Sequence, residues 1–107
     1  MANIMQMMAK AQKFKQSMQA MQARVQDMEM EGSAGNGLVT CRVNGKFELK
    51  KLKVDPSLIR VDEADVMEDL IVAAVNDART KAERTMAEET QKVVKEVGLP
   101  PGIDLPF

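Results

Sequence analysis

Histidine, tryptophan and tyrosine are absent from this 107-residue chain, and cysteine occurs once. Without histidine the chain lacks the commonest general base near neutral pH and the commonest transition-metal ligand. A single cysteine, Cys41, cannot build an internal disulfide framework, and no base stands near it in sequence to activate it. It reads as a small buried apolar residue. Three phenylalanines are the only aromatic residues, so the core must be aliphatic and rich in methionine. No apolar run approaches the length of a membrane span. Neither a G-x-S-x-G elbow nor a phosphate-binding glycine loop nor a dinucleotide fingerprint occurs. The glycines between positions 32 and 37 lie between strands, without the following helix that a phosphate loop requires. The acidic run from Asp62 to Asp69 lacks the spacing of a calcium loop and reads as helix capping and a solvated face. Catalysis, a metal site and a cofactor are therefore not expected.

What remains is a patterned chain of one domain, residues 1–107, large enough for a modest core. It is organised around Met28–Val54, which reads as a three-stranded antiparallel meander. Met28 and Met30 alternate with Glu29 and Glu31, and the turn-forming run Gly32–Gly37 ends the first strand. On the second strand Val39, Cys41 and Val43 share one face. Asn44-Gly45 signals a hairpin. A two-residue loop would set Cys41 against Glu48. A three-residue loop with Gly45 left-handed sets Cys41 against Phe47 and Val39 against Leu49, which keeps one face apolar and is the register expected. Phe47 and Leu49 then fall out of phase with Leu52 and Val54. A bulge near Lys50-Lys51 would account for the change, as would cover on both faces of the strand end.

Helices flank the sheet. From about Asn3 to Gln26, Ile4, Met7, Ala11, Phe14, Met18, Met21 and Val25, with Met28 beyond, follow the 3-4 spacing of a heptad seam. Methionine at such positions serves packing first. An adaptable binding groove is the rival use, and an interfacial membrane helix would want more bulky residues than this face offers. After the sheet, Asp55-Pro56-Ser57 reads as a capped turn. A second helix is expected over 62–97, with Asp62, Glu63 and Asp65 at its positive end and Gly98 closing it. Its inward stripe is Met67, Leu70, Ile71, Ala74, Val75, Ala78 and Ala82. Past Arg84 the stripe thins, so the distal half should project or pack lightly. The closing residues 98–107 are rich in proline and too apolar for an idle tail, and docking on the same molecule or a partner is expected.

Net charge is only −1, but its distribution is uneven. Residues 1–26 carry Lys10, Lys13, Lys15 and Arg24 and no acid, whereas acids outnumber bases from Val61 onward. A small sheet with two exposed edges and a long apolar seam exceeds what one short chain can cover, so a homodimer is expected. The acid-free basic start shares its charge with a mitochondrial transit peptide but is poor in Arg and Ser, and a cytoplasmic protein is the simplest expectation.

Three passages carry a resemblance. They are MMAKAQKFKQSMQAMQ, then GNGLVTCRVNGKFELKKLKVDPSLI, then MEDLIVAAVNDA with the closing LPPGIDLPF. In this order they resemble the YbaB/EbfC family of bacterial nucleoid-associated proteins. The link Arg60–Asp65 departs from that pattern in having no lysine-bearing turn. The resemblance implies an α+β dimer with central sheets and projecting helical arms, located in the cytoplasm and nucleoid. It implies binding of double-stranded DNA, largely through phosphates, in chromosome organisation and gene regulation. It places the DNA contacts on Lys10, Lys13, Lys15 and Arg24 of the first helix and on Arg79, Lys81 and Arg84 of the second. The alternative is a protein-interaction adaptor that binds a DNA-repair or replication partner through the Met-rich helix or the C-terminal tail.

Overall fold

The computed structural model describes residues 4–98. The chain runs α1 (Ile4–Gln26), β1 (Glu29–Ala34), β2 (Val39–Asn44), β3 (Leu49–Val54), two 3-10 turns (Pro56–Leu58 and Val61–Glu63) and α2 (Ala64–Val97). This is the expected α+β order. α2 begins at Ala64 rather than Asp62, because Val61–Glu63 first makes its own tighter turn. Asp55 caps the turn at Pro56, accepting a hydrogen bond from the Ser57 N–H at 2.9 Å. Gly98 ends α2 at φ 84° and donates its N–H to the carbonyls of Val94 and Lys95, the left-handed stop that glycine permits. The residues after Gly98, and with them the expected tail, lie outside the described part of the chain.

The sheet is antiparallel in the order β1-β2-β3. Its inward face carries Met30, Gly32 and Ala34 of β1 opposite Val43, Cys41 and Val39 of β2. Across β2, Val39 faces Val54, Cys41 faces Leu52, and Val43 faces Leu49. Arg42 faces Lys51, so Lys50 is the extra residue of a bulge. The bulge sits where the phase change placed it and returns Leu49, Leu52 and Val54 to one side of the sheet.

The expected hairpin register is corrected by these pairs. Cys41 faces Leu52, not Phe47, and Val39 faces Val54, not Leu49. The connection has the expected three residues but lies further along the chain: the Asn44 N–H donates to the Glu48 carbonyl and the Phe47 N–H to the Asn44 carbonyl, closing Gly45-Lys46-Phe47, and Asn44 organises it. Its Oδ1 accepts the N–H groups of Lys46 (2.9 Å) and Glu48 (3.0 Å), and its Nδ2 donates to Glu48 Oε1 at 2.9 Å. The left-handed residue is Phe47, at φ 64°, and Gly45 is not in that region. Glycine is required at 45 for another reason: a Cβ there would overlap the carbonyl of Val25 at the end of α1. Asn44 is buried, and Asn44→Ala would strip two backbone N–H groups of their acceptor. We expect a loss of about 2 kcal/mol in urea unfolding, and an unchanged midpoint would contradict this account of the loop.

Two cores follow. In the first, Ala74, Ala78 and Ala82 of α2 pack with Leu58 on Val39, Cys41 and Val43. The four-residue spacing puts the alanines on one helical face, and their small size lets the helix lie close to the sheet. The Cys41 thiol donates to the Ala74 carbonyl at 3.3 Å, and burial pushes its pKa up. In the second, Met18, Met21 and Val25 of α1 pack on Val93 and Val97 of α2, with Phe14 and Met86 beside them. The distal half of α2 is thus well packed, contrary to the expectation of light packing, because α1 lies along it. The seam serves packing from Phe14 onward, whereas Ile4 and Met7 are 72% and 60% exposed. The sheet body and this two-helix arm make a molecule 70 × 22 × 18 Å.

Candidate nucleic-acid interface

The expected contact residues divide between free cations and cations that serve the fold. Lys10, Lys13 and Lys15 are exposed on α1, a helix with no acid among its residues. Lys10 and Lys13, three apart, share a flank of the helix. Lys15 points about 140° from Lys10, on the far side of the packed seam. Arg24 is tied to Glu89 of α2, Nη2 to Oε2 at 2.8 Å, and Lys92 holds the other oxygen at 3.2 Å. These two cations, Lys92 first, hold the Glu89 carboxyl below the usual range.

On α2, Arg79 and Arg84 are exposed. Lys81 is engaged: its Nζ donates to the Glu31 carbonyl of β1 at 2.9 Å and lies 3.3 Å from Asp77 Oδ2. Asp77 in turn accepts the Ser33 N–H at 3.1 Å. Asp77 and Lys81 therefore fasten α2 to β1. The Ser33 N–H, and after it Lys81, hold the Asp77 carboxyl below its ordinary value of 3.8. A lowered folded pKa stabilises the fold above the unfolded pKa, and that contribution is lost as pH falls through the folded value. The melting temperature of the parent should accordingly fall faster below about pH 4 than that of Asp77→Asn. Parallel pH profiles for the two proteins would rule out this link.

Sequence reasoning passed over the bases of the β2–β3 hairpin: Arg42, Lys46, Lys50, Lys51 and Lys53. The available signal was the alternation of Lys51 and Lys53 with Leu52 and Val54, which puts both lysines on the side away from the core. All five are exposed, and none enters an ion pair among the described residues. Among those residues no group of three His, Cys, Asp or Glu side chains gathers as a metal site would need. No helix of the described residues is long and apolar enough to cross a membrane. The adaptor alternative draws on the Met-rich helix, whose seam packs on α2 at Met18, Met21 and Val25, or on the C-terminal tail, which lies outside the described residues.

Comparison with known proteins adds sequence and fold kinship. The model of the YbaB/EbfC DNA-binding family matches residues 1–97. A nucleoid-associated protein of Rhizobium meliloti is 47% identical over 107 residues, covering 100% of both chains. Nucleoid-associated proteins of Mesorhizobium japonicum and Brucella ovis are 45% and 47% identical over the same full length. Among solved structures, an uncharacterized Helicobacter pylori protein superposes with a TM-score of 0.75 at 20% identity, covering 88% of this chain and 99% of that one. At that identity the likeness concerns the fold.

Proposed function

The chain belongs to the YbaB/EbfC DNA-binding family, and on that premise we propose that it is a nucleoid-associated protein binding duplex DNA as a homodimer. It acts as one domain in the cytoplasm and nucleoid, largely through phosphate contacts, in chromosome organisation and gene regulation. The observation that carries this is the family match over residues 1–97. The physical features agree with it. An acid-free helix presents Lys10, Lys13 and Lys15 to solvent on a projecting arm, and Arg79 and Arg84 add free guanidinium groups on α2. Phosphate contacts of this kind position a protein on DNA without reading its sequence.

The dimer has its own support. α2 covers the inward side of β1 and β2, and Val54 of β3 packs against the same core, but Leu49 and Leu52 of β3 are left 48% and 42% exposed. Phe47 and Val61 are exposed as well. Large apolar side chains left exposed at one end of the sheet suit an interaction site, and a second copy of the chain covers them. The test is a mobility assay with two unrelated duplexes at low salt, alongside sedimentation at micromolar protein. Both duplexes should be retarded and the protein should sediment with the mass of two chains. Failure to retard either duplex would reject DNA binding, and a compact monomer would reject the dimer.

A further inference from the structure

The outward face of the sheet is unused by the fold. Away from α2, β1 presents Glu31 and Ser33, β2 presents Thr40 and Arg42, and β3 presents Lys51 and Lys53. Arg42 stands directly opposite Lys51, and Lys53 stands opposite Thr40 in the next pair. Like charges directly opposite one another on a sheet are destabilising, and an anion lying across them would relieve that cost. Glu31 flanks Arg42 on the β1 side, and Glu29 lies at the far end of the same face. Neither acid forms an ion pair with Arg42, Lys51 or Lys53 among the described residues. Arg42, Lys51, Lys53 and Thr40 line a groove of about 560 Å³ together with two carboxylates, Glu31 and Asp55, the second of which accepts the Ser57 N–H as a cap.

We propose that this outward sheet face is a second phosphate-binding surface for duplex DNA, separate from α1, with Arg42, Lys51 and Lys53 as its contacts. It rests on the DNA-binding function proposed above. The chemistry favours a polyanion over a single small anion. The cations are exposed and spread at strand spacing, roughly 4.8 Å across and about 6.8 Å along the sheet, so a row of phosphates engages them without drawing the three side chains together. A backbone bearing a charge at every nucleotide supplies such a row. Arg42 offers a planar fork suited to two phosphate oxygens, the lysines offer point charges, and the Thr40 hydroxyl offers a neutral donor. Such contacts position a duplex and need no base edge.

The test uses the full chain and a fluorescent duplex in anisotropy titrations over a salt series. In Arg42→Gln/Lys51→Gln/Lys53→Gln, affinity should fall at least about tenfold at 0.1 M salt, and the slope of log affinity against log salt should flatten by roughly 2.7 for each face engaged. Glu31→Gln, which removes the acid beside Arg42, should raise affinity severalfold, a gain that a misfolded protein cannot give. If the parent binds steeply with salt while both variants match it, the sheet face is overturned and DNA binding through the arm stands. If the parent binds no duplex at low salt, the function itself fails and this surface with it. A triple variant that binds DNA like the parent but sediments with a different mass would make the face a contact between copies, which also overturns the proposal.

Discussion

Gly32→Ala should cost about 3 kcal/mol or more and lower Tm by on the order of 15 °C. The reason is the closeness of β1 to α2. A Cβ at position 32 would overlap the Ala74 carbonyl oxygen and press on the amide nitrogen and Cβ of Ala78. These are mostly backbone atoms of a long helix, so no side chain can swing aside. The helix must move off the sheet, and with it go the contacts of Ala74, Ala78 and Ala82 with Val39, Cys41 and Val43. Valine at the same site should be worse still. Thermal unfolding followed by circular dichroism measures both, and a Gly32→Ala protein melting within about 2 °C of the parent would contradict the close packing.

The second large effect concerns DNA. Lys10→Gln/Lys13→Gln/Lys15→Gln should weaken binding to every sequence alike. Three lost contacts per protomer, or about six per dimer, should flatten the salt slope by roughly 5. Helix content and assembly should survive, because the packed residues Phe14, Met18, Met21 and Val25 are untouched. Lys10 and Lys13 share a flank, so the pair should account for more of the loss than Lys15 alone. Unchanged binding in the triple variant would remove these lysines as the contact surface.

Local pattern carried much of the fold. The order of elements, the inward face of β2, the bulge at Lys50, the Asp55 cap and the stop at Gly98 all follow from period and from the residues that special dihedrals demand. The placement of the hairpin loop did not, because its determinants are tertiary. Asn44-Gly45 announces a turn of three residues, but the Asn44 side chain sets it one step later, at Gly45-Lys46-Phe47, and Gly45 is there to admit the end of α1. Nothing within the hairpin itself points to Val25. The heptad pattern likewise promised a seam from Ile4, yet burial begins near Phe14, since pattern shows which face is apolar and not how far a partner extends.

The candidate interface was legible as an acid-free basic helix and illegible in its details. Arg24 and Lys81 have the composition of DNA contacts, but Glu89 lies 65 residues from Arg24 in sequence and the Glu31 carbonyl lies 50 from Lys81. Only the fold brings them together. The bases of the β2–β3 hairpin went unnoticed for the converse reason: strand alternation hides a one-sided charged face inside a segment that also supplies the core.

The most direct test of the whole account is the affinity of the parent protein for duplex DNA across a salt series. Six phosphate contacts from the paired arms predict a slope of about −5 in log affinity against log salt, steeper if the sheet face takes part, with little difference between unrelated sequences. No binding at low salt, or binding whose strength is indifferent to salt, would contradict it.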